Sequence, residues 1–389
     1  MDRNAELLTR AVESVVPRDL AEQKLKGGKP LRLYLGIDPT GSKLHLGHSV
    51  PLRKLKAFTD AGHHVIFLIG SFTAMVGDPS GRDTMRVPLT KEQVQKNFET
   101  YKHQAGKILD FSKIELRYNH EWLEPLKFAD IMKLASHFTV QQMMQREMFK
   151  ERMKRDDPLS PNEFLYPLMQ GYDSVMLDVD LEVGGNDQLF NMLCGRTLQS
   201  AFGKREKFVL TTKLIEGTDG RKMSKSYDNC IYLEDAPNDM YGKLLSIKDD
   251  LIVTYMECVT EMPMEDVRKA EKALKDGTNP KDVKMQLARA VVSLYHGAEA
   301  AEKAEANFQQ VFAEKGTPKD IAEVRVGEGT LLVDVIAMEK LASSKTDARR
   351  LIKQGAVTID GKPVTAVEAK AEAGVLKVGK RKFVKIILS

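Results

Sequence analysis

The sequence has no run approaching the roughly 18 apolar residues of a membrane span, which argues against a helical membrane protein. Met1-Asp2-Arg3-Asn4-Ala5-Glu6 carries early acids and no long apolar region, so the N-terminus does not read as a signal peptide. Cysteine is scarce. Cys194, Cys230 and Cys258 are widely spaced and fit neither a disulfide framework nor a CxxC zinc pattern, which points to a reducing cytoplasm. A large excess of one charge is also missing, since the net charge is +4.

What is present is ordinary in amount and uneven in placement. With 389 residues, 42% hydrophobic and 29% charged, the chain has room for two or three globular domains. Residues 331–389 hold 12 Lys and Arg against 6 Asp and Glu, so all the net positive charge sits at the C-terminal end. A small nucleic-acid-binding module shows this distribution. A lysine-rich solubilising tail is the plainer alternative.

Leu31-Arg32-Leu33-Tyr34-Leu35-Gly36-Ile37 alternates like a strand. Val50, Leu52, Leu55 and Phe58 then fit a helix over 47–61, stopped by Gly62. Val65-Ile66-Phe67-Leu68-Ile69 is a continuous apolar run, as expected of a strand buried on both faces. Strand, helix and strand in this order predict a parallel crossover unit, which binds ligands at the carboxyl ends of its strands. Residues 92–109, 128–136 and 140–154 read as helices, the last rich in methionine and suited to an interface or lining. Helices are expected again at 251–258, 264–275 and 280–312, followed by a Gly- and Pro-containing linker over 315–330.

The last segment predicts a compact α+β module. Ser343 or Ser344 can cap a helix over 346–353, Gly355 stops it, and Asp360-Gly361 is a strong hairpin dipeptide. Lys345, Arg349, Arg350 and Lys353 fall on one face of that helix, able to track phosphates. This pattern resembles the S4 RNA-binding module.

Two short strings carry the chemistry. Lys222-Met223-Ser224-Lys225-Ser226 puts two ammonium groups three positions apart on a loop introduced by Gly217-Thr218-Asp219-Gly220. His45-Leu46-Gly47-His48 puts two imidazoles at a helix start, where ring and backbone N–H groups can face one anion. Gly47 leaves room for a flat base. Attack at a nucleotide phosphorus is catalysed mainly by positioning and fixed positive charge. Each charge-assisted hydrogen bond supplies about 1.5–3 kcal/mol. Zinc chelation by the two histidines lacks a third ligand nearby.

These strings resemble the two signature motifs of the class I aminoacyl-tRNA synthetases, with Leu46 in the isoleucine position. Further stretches resemble the bacterial tyrosyl-tRNA synthetase family: residues 34–40, Gly77-Asp78-Pro79-Ser80-Gly81, residues 166–173, and Gly184-Gly185-Asn186-Asp187-Gln188. The resemblance covers nearly the whole chain. It implies an α/β fold with a Rossmann-like parallel-sheet catalytic domain over 1–235, carrying a helical insertion at about 90–165. An α-helical tRNA-binding domain over 236–314, the linker, and an S4-like domain over 331–389 would follow.

The resemblance also implies roles. Tyr34 and Asp173 would hold the phenol hydroxyl of L-tyrosine, and Asp78, Tyr166 and Gln170 its α-ammonium group. Gln188 would sit near the reacting carboxylate, while Asp38, Gly47, Gly185 and Asp187 would line the ATP side. His45, His48, Lys222, Ser224 and Lys225 would clamp the phosphates, with Arg82 and Arg86 as weaker candidates. Lys345, Arg349, Arg350 and Lys353 would contact tRNA(Tyr). Expected with these are ATP as substrate, Mg²⁺ accompanying it, no tightly bound cofactor, no resident metal, and a homodimer whose interface lies in the 90–165 helices. Glu182 departs from the Gln of several relatives, Leu189 from a frequent Trp, and Pro51 falls near the first turn of its helix. Two alternatives stay open: another nucleotidyltransferase sharing the histidine motif, and an RNA-binding paralogue without ligase activity.

Overall fold

The computed structural model describes residues 3–80, 89–224, 227–313, 321–379 and 382–388. Two compact units emerge, the larger from residues 1–236 with 243–297 and the smaller from 237–242 with 298–389.

The larger unit is built on six strands: β1 (Val12–Val16), β2 (Arg32–Ile37), β3 (His64–Ile69), β4 (Glu115–Tyr118), β5 (Leu181–Gly185) and β6 (Phe208–Thr212). Their spatial order is β1-β6-β5-β2-β3-β4. All neighbours run parallel except β1, which pairs antiparallel with β6. Val65 to Ile69 are all buried, because helices cover both faces of the central strands.

The direction of winding reverses between β2 and β5. From β2 the chain passes through the helix Leu46–Asp60 to β3 on one side. From β5 it passes through the helix Leu189–Ala201 to β6 on the other. Such a reversal opens a crevice at the carboxyl ends of the two diverging strands. The loop after β2 ends at His45, with His48 in the first turn of the helix that follows, and the turn after β5 carries Asp187 and Gln188.

The helix Leu46–Asp60 buries Val50, Leu52, Leu55 and Phe58, and Gly62 follows its end at φ +85°. Pro51 lies in the second turn rather than the first, so the carbonyl of Gly47 loses its helical N–H partner. Three further differences from the sequence-based expectations have local causes. The mostly helical stretch 90–165 also holds a strand that was not expected, because Glu115-Leu116-Arg117-Tyr118 alternates and adds β4 to the sheet edge. The expected helix 140–154 breaks into Val140–Met143 and Glu147–Lys154. The expected helix 280–312 divides at Gly297, whose φ of +89° interrupts Pro280–His296 before Ala298–Ala313.

The smaller unit holds β7 (Glu323–Val326), β8 (Val357–Ile359), β9 (Lys362–Pro363), β10 (Gly374–Val378) and β11 (Lys382–Leu388), in the order β7-β11-β10-β8-β9. The helices Leu332–Met338 and Lys345–Lys353 share its core through Leu332, Ile336, Ala348 and Ile352. Ser344 caps the second, its Oγ accepting from the Asp347 N–H at 3.1 Å. Asp360 and Gly361 both have positive φ, 47° and 78°, which closes the two-residue hairpin between β8 and β9.

Candidate active site

The two motif loops meet through the backbone. The Leu46 N–H donates to the Ile231 carbonyl at 2.9 Å, and the Leu233 N–H to the Leu44 carbonyl at 2.9 Å. This pairing brings the segment that follows Lys222 alongside His45. The His45 and His48 rings are 3.9 Å apart between centroids. The His45 backbone N–H donates to His48 Nδ1 at 3.2 Å, so the neutral His48 ring carries its proton on Nε2. Burial, with His48 and Lys222 nearby, pushes His45 down to about 3. Burial pushes His48 down to about 4. Both rings are therefore neutral near pH 7 and offer N–H donors rather than full charge. Buried His45 Nδ1 has no hydrogen-bond partner among the described residues.

Lys222 is 57% exposed and pairs with Asp187 Oδ2 at 3.1 Å, joining the second motif to the loop after β5. Ser224 is held by its backbone, whose N–H donates to Asn229 Oδ1 at 2.9 Å. The Nδ2 of buried Asn229 donates in turn to Asp219 Oδ1 at 2.7 Å and to the carbonyls of Arg221 and Lys222 at 3.3 and 3.1 Å. That bond from Asn229, together with Arg221, draws Asp219 down to about 2. A Cβ on Gly47 would approach the His45 ring to 3.0 Å and Met223 Sδ to 3.8 Å, so the two motifs pack at this glycine. Lys225, Arg82 and Arg86 lie outside the described residues.

The expected amino-acid pocket lies behind β2 and the helix Pro161–Leu177. Tyr34 is fully buried, with its hydroxyl 2.9 Å from Ser174 Oγ. Asp173 Oδ1 accepts from Trp122 Nε1 at 2.8 Å, and Oδ2 from Asn119 Nδ2 at 3.3 Å. Burial raises Asp173 well above the usual carboxylate range, against those two donors. Burial likewise raises Tyr34, helped by Glu182 and Asp173. Gln170 Nε2 donates to Glu182 Oε1 at 3.0 Å.

Towards the expected nucleotide side, Tyr166 donates its hydroxyl to Asp38 Oδ2 at 2.8 Å, and Thr73 Oγ1 donates to Asp38 Oδ1 at 2.7 Å. The structure thus joins Asp38 and Tyr166, which the resemblance gave to different ends of the site. A Cβ on Gly70 would overlap Asp38 Oδ1, so only glycine fits there beside this carboxylate. Gln188 Nε2 donates to Asp78 Oδ2 at 2.8 Å. Asn191 Nδ2 supports Gln188 Oε1 at 3.1 Å, and Arg146 donates to Ser80 Oγ at 2.7 Å. Gly185 and Asp187 adjoin, since a Cβ on Gly185 would come within 2.8 Å of Asp187 Oδ1.

In the smaller unit, Lys345, Arg349, Arg350 and Lys353 are exposed on one short helix. Lys345 Nζ pairs with Asp334 at 3.0 Å and Arg350 with Asp347 at 2.6 Å.

Sequence reasoning missed Thr73, Asn119, Trp122, Asn191 and Asn229, which orient the expected ligand contacts. It also missed Ser174 and Lys207. Trp122 and Asp173 lie 51 positions apart, so no local spacing could have paired them.

A model described as tRNA synthetases class I (W and Y) matches residues 26–313, and an S4 domain model matches 331–374. The tyrosine–tRNA ligase of Thermotoga maritima is 46% identical over 390 residues, covering 99% of this chain and 97% of that one. That of Carboxydothermus hydrogenoformans is 44% identical, covering 100% and 98%. Among solved structures, the tyrosyl-tRNA synthetase of Archaeoglobus fulgidus complexed with L-tyrosine is similar at a TM-score of 0.64 and 25% identity, over 78% of this chain and 98% of that one. A C-terminally truncated mitochondrial tyrosyl-tRNA synthetase from Aspergillus nidulans shares the fold at a TM-score of 0.65 and 24% identity, over 80% and 93%.

Proposed function

The chain belongs to the class I tRNA synthetases of the tryptophan and tyrosine type, as a tyrosine–tRNA ligase, and we propose how its residues divide that work. The tyrosine carboxylate attacks the α-phosphorus of ATP, giving tyrosyl-adenylate and pyrophosphate. A ribose hydroxyl of the 3′ terminal adenosine of tRNA(Tyr) then attacks the acyl carbonyl. No enzyme nucleophile takes part.

In our reading Tyr34 and Asp173 receive the phenol hydroxyl. Their burial and their fixed protein partners support this, because a desolvated carboxylate gains most from a new donor. Phenylalanine would leave these buried groups unpaired. That is the general account of how tyrosyl-tRNA synthetases reject phenylalanine, carried over to this chain as a member of the family. Asp78, Tyr166 and Gln170 take the ammonium group and Gln188 adjoins the carboxylate. Asp38, Gly47, Gly185, Asp187 and Ser224 line the ATP. His45, His48, Lys222 and Lys225 stabilise charge on the phosphates, and Mg²⁺ travels with ATP. The observation that carries this division is the backbone pairing that sets His45 beside the Lys222 segment at the crevice.

We further read 1–235 as catalytic, 236–314 as helical and tRNA-binding, 315–330 as linker and 331–389 as RNA-binding through Lys345, Arg349, Arg350 and Lys353. A homodimer is supported by apolar side chains left in solvent within the 90–165 stretch, Phe128 at 77% and Met132 at 56% exposed. A cytoplasmic setting is supported by three free, buried cysteines. No described helix is long and apolar enough to cross a membrane.

Tyrosine-dependent ATP–pyrophosphate exchange tests the division. Lys225→Ala should lower adenylate formation far more than tyrosine binding, and equal losses in both would overturn the phosphate role. Exchange driven equally by tryptophan would overturn the pocket.

A further inference from the structure

Behind the proposed amino-acid pocket lies a buried ion pair whose lysine ammonium also stands 5.9 Å from the centre of the Tyr34 ring. Lys207 is 0% and Glu182 2% exposed in their side chains, with Nζ and Oε2 at 2.5 Å. Lys207 also donates to Ser174 Oγ at 2.7 Å, and Ser174 Oγ lies 3.3 Å from Glu182 Oε2. Gly195 makes room for the cluster: a Cβ there would stand 2.5 Å from Ser174 Oγ and 2.6 Å from Lys207 Nζ.

Counting donors and acceptors, with the distances, gives the direction of the bonds. An ammonium only donates and an ionised carboxylate only accepts. Ser174 therefore accepts from Lys207 and has a single proton to offer, with the Tyr34 oxygen at 2.9 Å and Glu182 Oε2 at 3.3 Å as acceptors. The Tyr34 oxygen is the nearer of the two, so Ser174 donates to Tyr34. The Tyr34 proton is then turned towards a phenol oxygen, whose own proton goes to Asp173. On the other branch, Glu182 Oε1 can accept only from the NH₂ side of Gln170. That leaves the Gln170 carbonyl oxygen for an ammonium group.

We propose that the buried Lys207–Glu182–Ser174 cluster is a positioning device for the amino-acid pocket, fixing which way the Tyr34 hydroxyl and the Gln170 amide point. One ion pair sets the polarity at both ends of the tyrosine site. This positioning role rests on the ligand roles of Tyr34 and Gln170 given under the proposed function. Glu182, a departure from the Gln of several relatives, is then compensated by Lys207, which supplies the opposite charge.

The test is exchange kinetics on the full chain with tyrosine and phenylalanine, with melting temperature measured alongside. Ser174→Ala leaves the ion pair intact and frees the Tyr34 hydroxyl. It should raise KM for tyrosine about five- to tenfold, the loss of one neutral hydrogen bond. KM for ATP and kcat should stay within about twofold, and the preference over phenylalanine should fall by the same factor as KM for tyrosine rises. The neutral pair Glu182→Gln with Lys207→Gln should raise KM for tyrosine and phenylalanine together, because both carry the ammonium group. A lower melting temperature with unchanged KM for tyrosine in both variants would overturn the proposal and leave the cluster a purely structural one. Tyr34→Phe and Gln170→Ala separate the levels. If these raise KM for tyrosine while the cluster variants do not, the proposal fails and the pocket stands. If these too leave KM unchanged, the pocket assignment fails.

Discussion

The two halves of the site handle charge in opposite ways. On the proposed amino-acid side, Tyr34, Asp173, Glu182 and Lys207 are buried and bonded to one another or to Trp122, Asn119 and Ser174. On the proposed phosphate side, Lys222 stands largely in water with one partner among the described residues, and the histidines beside it are neutral. Distinguishing one hydroxyl from none needs groups that cannot be satisfied by water when the hydroxyl is missing. Stabilising a departing pyrophosphate needs long cations that arrive with the charge, and a solvated ammonium on a flexible stem meets that need. Damage to the buried half should therefore appear in stability and selectivity, and damage to the exposed half in rate.

Four experiments sharpen or break this contrast. Lys207→Met strands the Glu182 carboxylate in an apolar interior and should lower stability by about 3–5 kcal/mol, read by denaturant unfolding. An equally stable variant would mean the buried half tolerates unpaired charge, and the contrast would collapse. Lys222→Ala should slow pyrophosphate exchange about 10- to 150-fold, worth about 1.5–3 kcal/mol, with no change in melting temperature. A clear loss of stability there would put Lys222 in the buried class.

The third uses pH. His48 has a folded pKa of about 4 against an ordinary value of 6.5, so between these values the unfolded chain binds the extra proton. Its contribution is present above about pH 6.5 and is lost as the pH falls towards 4. The stability advantage of the parent over His48→Asn should shrink by about 1–2 kcal/mol between about pH 7 and about pH 5. An unchanged gap would mean the ring is already solvated. The smallest effect is expected in the other unit. Arg349→Ala should raise KM for tRNA severalfold and reduce its salt dependence by about one counterion, leaving tyrosine-dependent exchange untouched.

Legibility in the sequence followed the range of the interactions. The strand–helix–strand start, the Asp360-Gly361 hairpin and the Ser344 cap are local and were readable from spacing. The edge strands β1 and β4 were not. Each is only five or four residues long, with mixed polarity, and is a strand because a neighbour supplies hydrogen bonds. Within the site, the two signature strings announced themselves, while the residues that aim them did not. Lys207 ends the run Lys204-Arg205-Glu206-Lys207, which by composition is a solvated turn. It is fully buried only because the fold brings Glu182, 25 positions earlier, to meet it. Nor did anything in Asn229 mark it as the side chain on which Asp219, Arg221, Lys222 and Ser224 converge.

Gly70 has a bearing on how this sequence can change. Its missing methyl group is what allows Asp38 to occupy its place beside Thr73 and Tyr166. Mutational routes through this corner therefore have an order. Asp38 can be shortened while Gly70 is unchanged, but Gly70 cannot be enlarged while Asp38 keeps its carboxylate in place. A larger residue at position 70 therefore requires both Asp38 and Thr73, whose Oγ1 a Cβ would meet at 2.4 Å, to move first.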